Sequence, residues 1–198
     1  MNLVEEFDYL VLDEAHYLFQ DASFNLATET IVKMVDRYRD SKIVLMLSAT
    51  PQLLQEYYGS RIDKTYQVKR DYSYIQKLYA YTTRDSVYKI INDVPKDEKI
   101  IFFGDKKERL QQLQCQFENS VYLSGDNKKS EPVFEQIVKQ ECFNCRILFT
   151  TKVLDNGVNL KDKAVKHIII DLSDLIEFIQ CLGRRRVWDI NDSVTVYF

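Results

Sequence analysis

The chain has 198 residues, 45% of them hydrophobic and 29% charged, with a formal net charge of -3. That mix suits an ordinary soluble globular protein able to bury a core, and excludes an intrinsically disordered chain or a protein that coats duplexes through bulk positive charge. No apolar run reaches the length of a transmembrane helix, and the acidic start around Glu5 and Glu6 lacks the basic region of a secretory leader. The four cysteines, Cys115, Cys142, Cys145 and Cys181, are too few and too scattered for a disulfide scaffold and suit a reducing cytoplasm. Cys142 and Cys145 have C-x-x-C spacing but no second pair to complete a zinc site, so they read as ordinary thiols at a helix–strand junction.

In chain order, residues 9–12 and 43–47 read as strands, joined by a helix over 27–38 that carries Ile31, Met34, Val35 and Tyr38 at helical spacing. Pro51 fits the start of another helix, with Thr50 as its N-cap. Residues 66–69 and 77–81 look extended. Strands follow at 100–103, 147–149 and 167–170, with helices over 106–117, 131–140 and 173–181 and a last strand from Val194. The strands are apolar throughout rather than alternating, the pattern of parallel strands covered on both faces. With only five glycines and three prolines, no flexible linker stands out. The strand–helix rhythm slackens between about residues 57 and 82, and a junction is expected within 70–84, giving domains 1–75 and 76–198.

The chemistry-bearing residues lie at strand ends. Asp13 and Glu14 follow the strand 9–12, where α/β sheets bind ligands. One carboxylate there can hold Mg²⁺ and the other can orient an attacking water. The alternative is a pair of solvated acids ahead of a helix. Ser48-Ala49-Thr50 follows the strand 43–47 and offers hydroxyls to the acidic turn. Gln180, Gly183 and the run Arg184-Arg185-Arg186 lie at the end of the helix 173–181; a solvated charge run is the alternative there.

Together these motifs resemble superfamily 2 DEAD/DEAH-type helicases. Asp13-Glu14-Ala15-His16 is similar to motif II, Ser48-Ala49-Thr50 to motif III and Ile100-Ile101-Phe102-Phe103 to motif IV. The stretch 150–159, from Thr150 and Thr151 through Asp155 and Gly157 to Asn159, resembles motif V. Gln180-Cys181-Leu182-Gly183-Arg184-Arg185-Arg186 resembles motif VI, written Q-x-x-G-R. The resemblance spans nearly the whole chain. It implies RecA-like parallel sheets, a partial first domain and a C-terminal second one, with ATP between the domains and DNA or RNA across both. By the same resemblance, Asp13 would ligate Mg²⁺, Glu14 would be the catalytic carboxylate, and His16, Ser48 and Thr50 would couple nucleotide state to movement. Asp155 and Gly157 would face the nucleotide, and Thr150 or Thr151 would contact a nucleic-acid phosphate. Gln180 and Arg184 would reach the γ-phosphate, Arg184 as the arginine finger.

Two departures matter. The phosphate-binding loop G-x-x-x-x-G-K-S/T, expected upstream of motif II, occurs nowhere in the sequence. The expectation is therefore a fragment or truncated form, without ATP hydrolysis of its own. In motif VI, many members read Q-x-x-G-R-x-G-R, whereas Arg186 and Val187 stand where the second Gly and the last Arg would fall; Arg186 is left as a substitute second cation at the nucleotide. Alternatives are a non-hydrolysing nucleic-acid or partner-binding module, and the motor portion of a restriction or repair enzyme. The residues 19–25 could line a nucleic-acid path or form an ordinary loop.

Overall fold

The structure, a computed structural model, describes residues 3–20, 26–69, 71–155 and 158–198. The chain divides into two units, residues 1–68 and 69–198. The split falls ahead of the boundary expected from sequence, because Tyr74 and Ile75 already pack on the second unit's core. Among the described residues, no helix is long and apolar enough to cross a membrane.

In the first unit, strand β1 (Tyr9–Leu12) pairs in parallel with β2 (Ile43–Met46), in register from Tyr9–Ile43 to Leu12–Met46. A short helix α1 (Tyr17–Gln20) and helix α2 (Leu26–Tyr38) lie between them in sequence, and α3 (Gln52–Tyr58) follows. Strand side chains alternate between faces. Leu10, Leu12, Val44 and Met46 pack with Ala15, Val35, Leu54 and Tyr58. The opposite face is bare: Tyr9 is 60% exposed, Val11 54%, Ile43 52% and Leu45 44%. The expectation of strands covered on both faces is thus wrong here. Helices cover one face of the sheet and nothing among the described residues covers the other.

The second unit holds strands β3 (Ile75–Tyr79), β4 (Lys99–Gly104), β5 (Ser120–Leu123), β6 (Ile147–Thr150), β7 (Val165–Asp171) and β8 (Val194–Tyr197). They form one six-stranded sheet in the order β3-β8-β7-β4-β6-β5, every neighbour parallel. Here the apolar runs are covered twice. Ile101, Phe103, Leu148, Ile168 and Ile170 pack with α6 (Pro132–Gln140) and α7 (Leu175–Arg184) through Val133, Ile137, Cys181 and Leu182. Ile100, Phe102, Ile147, Phe149 and Ile169 pack with α4 (Arg84–Asp93) and α5 (Lys107–Gln114) through Val87, Ile91, Leu110 and Leu113. Fully burying each such side chain is worth about 1.5–3 kcal/mol. This is a three-layer α/β arrangement around a parallel sheet, the fold class expected from the sequence.

Local chemistry sets the element ends. Gly104 closes β4 where an added Cβ would lie 3.0 Å from Leu110, so glycine admits α5 against the sheet. Buried Arg146 donates from Nη2 to the carbonyls of Ile91 and Val94 and caps α4. Cys145 is buried and its thiol is pushed up to about 11, chiefly by that burial, which agrees with an ordinary thiol before β6. Residues 66–69 form no strand, and the extended segment expected at 77–81 is β3, two residues earlier at its start. Pro51, not Thr50, is the N-cap of α3.

Candidate functional site

In the first unit the site grows out of the carboxyl end of β1. The Glu14 amide donates to Asp13 Oδ1 at 2.9 Å. Glu14 itself adopts a φ of 49°, the left-handed region that a non-glycine residue enters at a cost of roughly 1–3 kcal/mol. Backbone bonds hold the turn in place: Leu47 N donates to Leu12 O and Ala15 N to Leu47 O, both at 2.9 Å. The acidic turn is therefore tied to the end of β2, where Ser48 and Thr50 lie.

His16 is 1% exposed. Its Nδ1 lies 3.1 Å from Ser48 Oγ and 3.5 Å from Glu14 Oε2. Ser48 Oγ also accepts the Thr50 amide at 3.0 Å. Four of the residues singled out from sequence thus form one connected set: Glu14, His16, Ser48 and Thr50. The Thr50 hydroxyl is buried and has no hydrogen-bond partner among the described residues. Asp13 is exposed, and with Glu14 it lines a shallow hollow of ≈ 210 Å³ beside Tyr17, Thr28 and Ile31. Among the described residues there is no group of three or more His, Cys, Asp or Glu placed to hold a metal. Two carboxylates suit Mg²⁺, which takes its remaining ligands from water and phosphate oxygens.

In the second unit, Thr150 ends β6 beside Phe103 of β4 and Leu123 of β5. Thr150 is 0% exposed, and its hydroxyl donates to Thr151 O at 2.9 Å. Thr151 is half-buried, so it is the more accessible of the two. A 3-10 turn, Lys152–Asp155, follows and is pinned to α7 by Lys152 Nζ on Glu177 Oε1 at 2.9 Å. The side chain of Asp155, and Gly157, lie outside the described residues.

Helix α7 starts at Asp174, whose side chain accepts the Glu177 amide as an N-cap. It ends at Arg184, past the 173–181 span expected from sequence, so Gln180 and Arg184 share one side at four-residue spacing. Both are 7% exposed. The Arg184 Nε is buried without a hydrogen-bond partner among the described residues. Such an arginine carries a desolvation cost that an incoming anion would relieve. Beyond the helix, Leu160 N donates to Arg184 O and Arg186 N to Leu160 O, both at 2.8 Å. Arg186 Nε donates to Asn159 Oδ1 at 2.7 Å. The ends of the two motif-like stretches therefore bond directly to each other.

Sequence reasoning gave no role to Arg185, Lys166 or Asp192. Arg185 is buried and grips Asp192 through both terminal nitrogens, and Lys166 joins from β7. No spacing rule links these three, and within an Arg-Arg-Arg run nothing distinguishes the middle arginine.

Residues 1–57 match the model of the DEAD/DEAH box helicase family. No curated protein matches the sequence. Among solved structures, a Dbp5 variant from S. cerevisiae bound to a Gle1 variant and IP6 is similar, with a TM-score of 0.57 at 19% identity, covering 96% of this chain and 51% of that one. A DEAD box protein from Methanococcus jannaschii gives a TM-score of 0.52 at 17% identity, over 100% of this chain and 54% of that one. The helicase Lhr from Mycobacterium smegmatis, bound to ssDNA and AMP-PNP, gives 0.61 at 14% identity, over 96% of this chain and 28% of that one. At these identities the likeness establishes the RecA-like fold. The chain spans about half the length of the first two structures or less of the third.

Proposed function

We propose that this chain is part of an ATP-driven nucleic-acid helicase or translocase of the DEAD/DEAH type. The observation that carries the reading is the acidic turn at the carboxyl end of β1, joined through His16 to Ser48 and Thr50. It lies inside the segment that matches the family. In this reading Asp13 holds Mg²⁺ and Glu14 orients the attacking water. The metal, when bound, would neutralise charge on the phosphate oxygens.

His16, Ser48 and Thr50 carry the nucleotide state into the first unit's backbone. From the second unit, Gln180 and Arg184 address the γ-phosphate, with Arg184 as the arginine finger. Its buried Nε, unpartnered among the described residues, supports that role. Arg186 offers a second cation, and Asp155 and Gly157 face the nucleotide. Thr151 contacts a nucleic-acid phosphate more readily than Thr150, which is fully buried. A cytoplasmic site of action goes with the same reading.

The bare face of β1 and β2 supports a fragment. In a longer protein, a segment bearing the phosphate loop would cover it and complete the first domain. A second reading, a non-hydrolysing binding module, is favoured for the chain alone because G-x-x-x-x-G-K-S/T is absent from its sequence. A restriction or repair enzyme would contain the same motor.

The test is nucleic-acid-stimulated ATPase, measured on this chain and on a form extended upstream in its gene. The motor reading expects activity in the longer form only. Inert longer protein, in the presence of both DNA and RNA, would refute it.

A further inference from the structure

We infer that Arg185, Asp192 and Lys166 form a clasp that positions the two flanking arginines, Arg184 and Arg186, for an anionic phosphate; the phosphate part rests on the motor reading above. The clasp is buried, with the side chains of Arg185 and Asp192 only 1% and 2% exposed. Arg185 Nη2 donates to Asp192 Oδ1 at 2.7 Å and Nη1 to Oδ2, a fork-on-fork pair. Lys166 Nζ donates to Asp192 Oδ1 at 3.1 Å and anchors the pair to β7. The Trp188 amide donates to Asp192 Oδ2 at 2.9 Å.

Stability is a poor account of this convergence. Removing two ions from water costs about as much as their attraction returns, and apolar replacements of such pairs are often as stable. Position is the better account. Arg185 sits between the two backbone bonds that Leu160 makes with Arg184 O and Arg186 N. Its backbone is extended, so its side chain turns inward while that of Arg186 turns out toward Asn159.

Among the described residues, Arg185 is the arginine of the three whose charge meets a carboxylate. Arg184 and Arg186 keep theirs for another anion. Fixing the middle arginine thus fixes the spacing of two cations at the junction of the 3-10 turn's chain and α7. Asp192 and Arg185 are positioning residues in this scheme, since neither presents its charge outward.

The experiment uses this chain, labelled with ¹⁵N, as wild type and as the double variant Arg185→Met/Asp192→Leu, which keeps the site filled without charge. Amide signals of Ile101 and Ile168 report the fold. Side-chain Nε–H signals of Arg184 and Arg186 report order, and titration with Mg-ATP reports phosphate binding. The clasp predicts unchanged core signals, loss of Arg186 Nε–H order and an Arg184 response that needs about tenfold more ATP or more, the scale on which orienting partners act.

An ordered variant with the wild-type ATP response overturns the inference. Lost order with no ATP response in either protein upholds the clasp and overturns its phosphate part, while the motor reading stands or falls on the ATPase of the longer form. If the double variant fails to fold, Asp192→Asn replaces it. It keeps one acceptor oxygen without the charge, so Arg186 order must fall, and unchanged order overturns the clasp.

Discussion

The two units answer the same sequence signal in opposite ways. Ile43-Val44-Leu45-Met46 and Ile100-Ile101-Phe102-Phe103 are both unbroken apolar runs in parallel strands. In the second unit every residue of the run 100–103 is at most 1% exposed, because helices cover both faces. In the first, Ile43 and Leu45 stand 52% and 44% exposed. An apolar run states that a strand needs cover on two sides. It does not state that the same chain supplies that cover. Contiguous exposed apolar faces of this kind mark places where other polypeptide packs.

The largest effect that sharpens this contrast is in the second core. Phe102→Ala should cost about 3–5 kcal/mol, because a fully buried ring leaves a cavity. Val11→Thr on the bare face should change stability by less than about 0.5 kcal/mol. Urea denaturation of each variant checks both. A costly Val11→Thr would mean that the face is covered in solution.

A smaller effect is the acid response of the second unit. Burial pushes the Asp192 carboxyl up, but hydrogen bonds from Arg185, the Trp188 amide and Lys166 outweigh it and hold the group well below the usual carboxylate range. Its folded value thus lies below its unfolded value of about 3.9. The stabilisation is present above that pH and is lost as pH falls toward the folded value. Asp192→Asn should start less stable at neutral pH and lose less between about pH 5 and pH 2. Equal acid slopes for the two proteins in urea titrations would contradict the pairing.

The smallest effect is kinetic and leaves the fold untouched. Cys115 is exposed, whereas the Cys145 thiol is buried and pushed up to about 11. Alkylation at about pH 8, read by mass spectrometry, should modify Cys115 first and leave Cys145 protected until the second unit opens. Early labelling of Cys145 would show a looser core than the packing implies.

Much of the fold was readable because its strongest elements obey simple periods. The helix 27–38 and the strands at 100–103, 147–149 and 167–170 were found on that basis. Helix α4 was not: it spans ten residues, and only Val87 and Ile91 in it are fully buried. Strand β5 is four residues long at a sheet edge, and Asn119 before it has a φ of 52°, a turn that apolar periodicity does not register. Residues 66–69 misled because alternation also occurs in exposed chain. Of the candidate site, order and spacing placed the acids at a strand end and Arg184 on a helix, as the structure has them. The bond from His16 to Ser48 links residues 32 positions apart, and the Arg185–Asp192 pair depends on a turn whose shape no local rule supplies.

The central claim is that Glu14 serves phosphoryl transfer. Its most direct test is single-turnover hydrolysis of ATP by the longest natural form of the protein, with nucleic acid present, as wild type and as Glu14→Gln. The account predicts that the variant still binds ATP but hydrolyses it about 10²–10⁴-fold more slowly, the usual loss of a water-activating group. Hydrolysis at the same rate in both would contradict it.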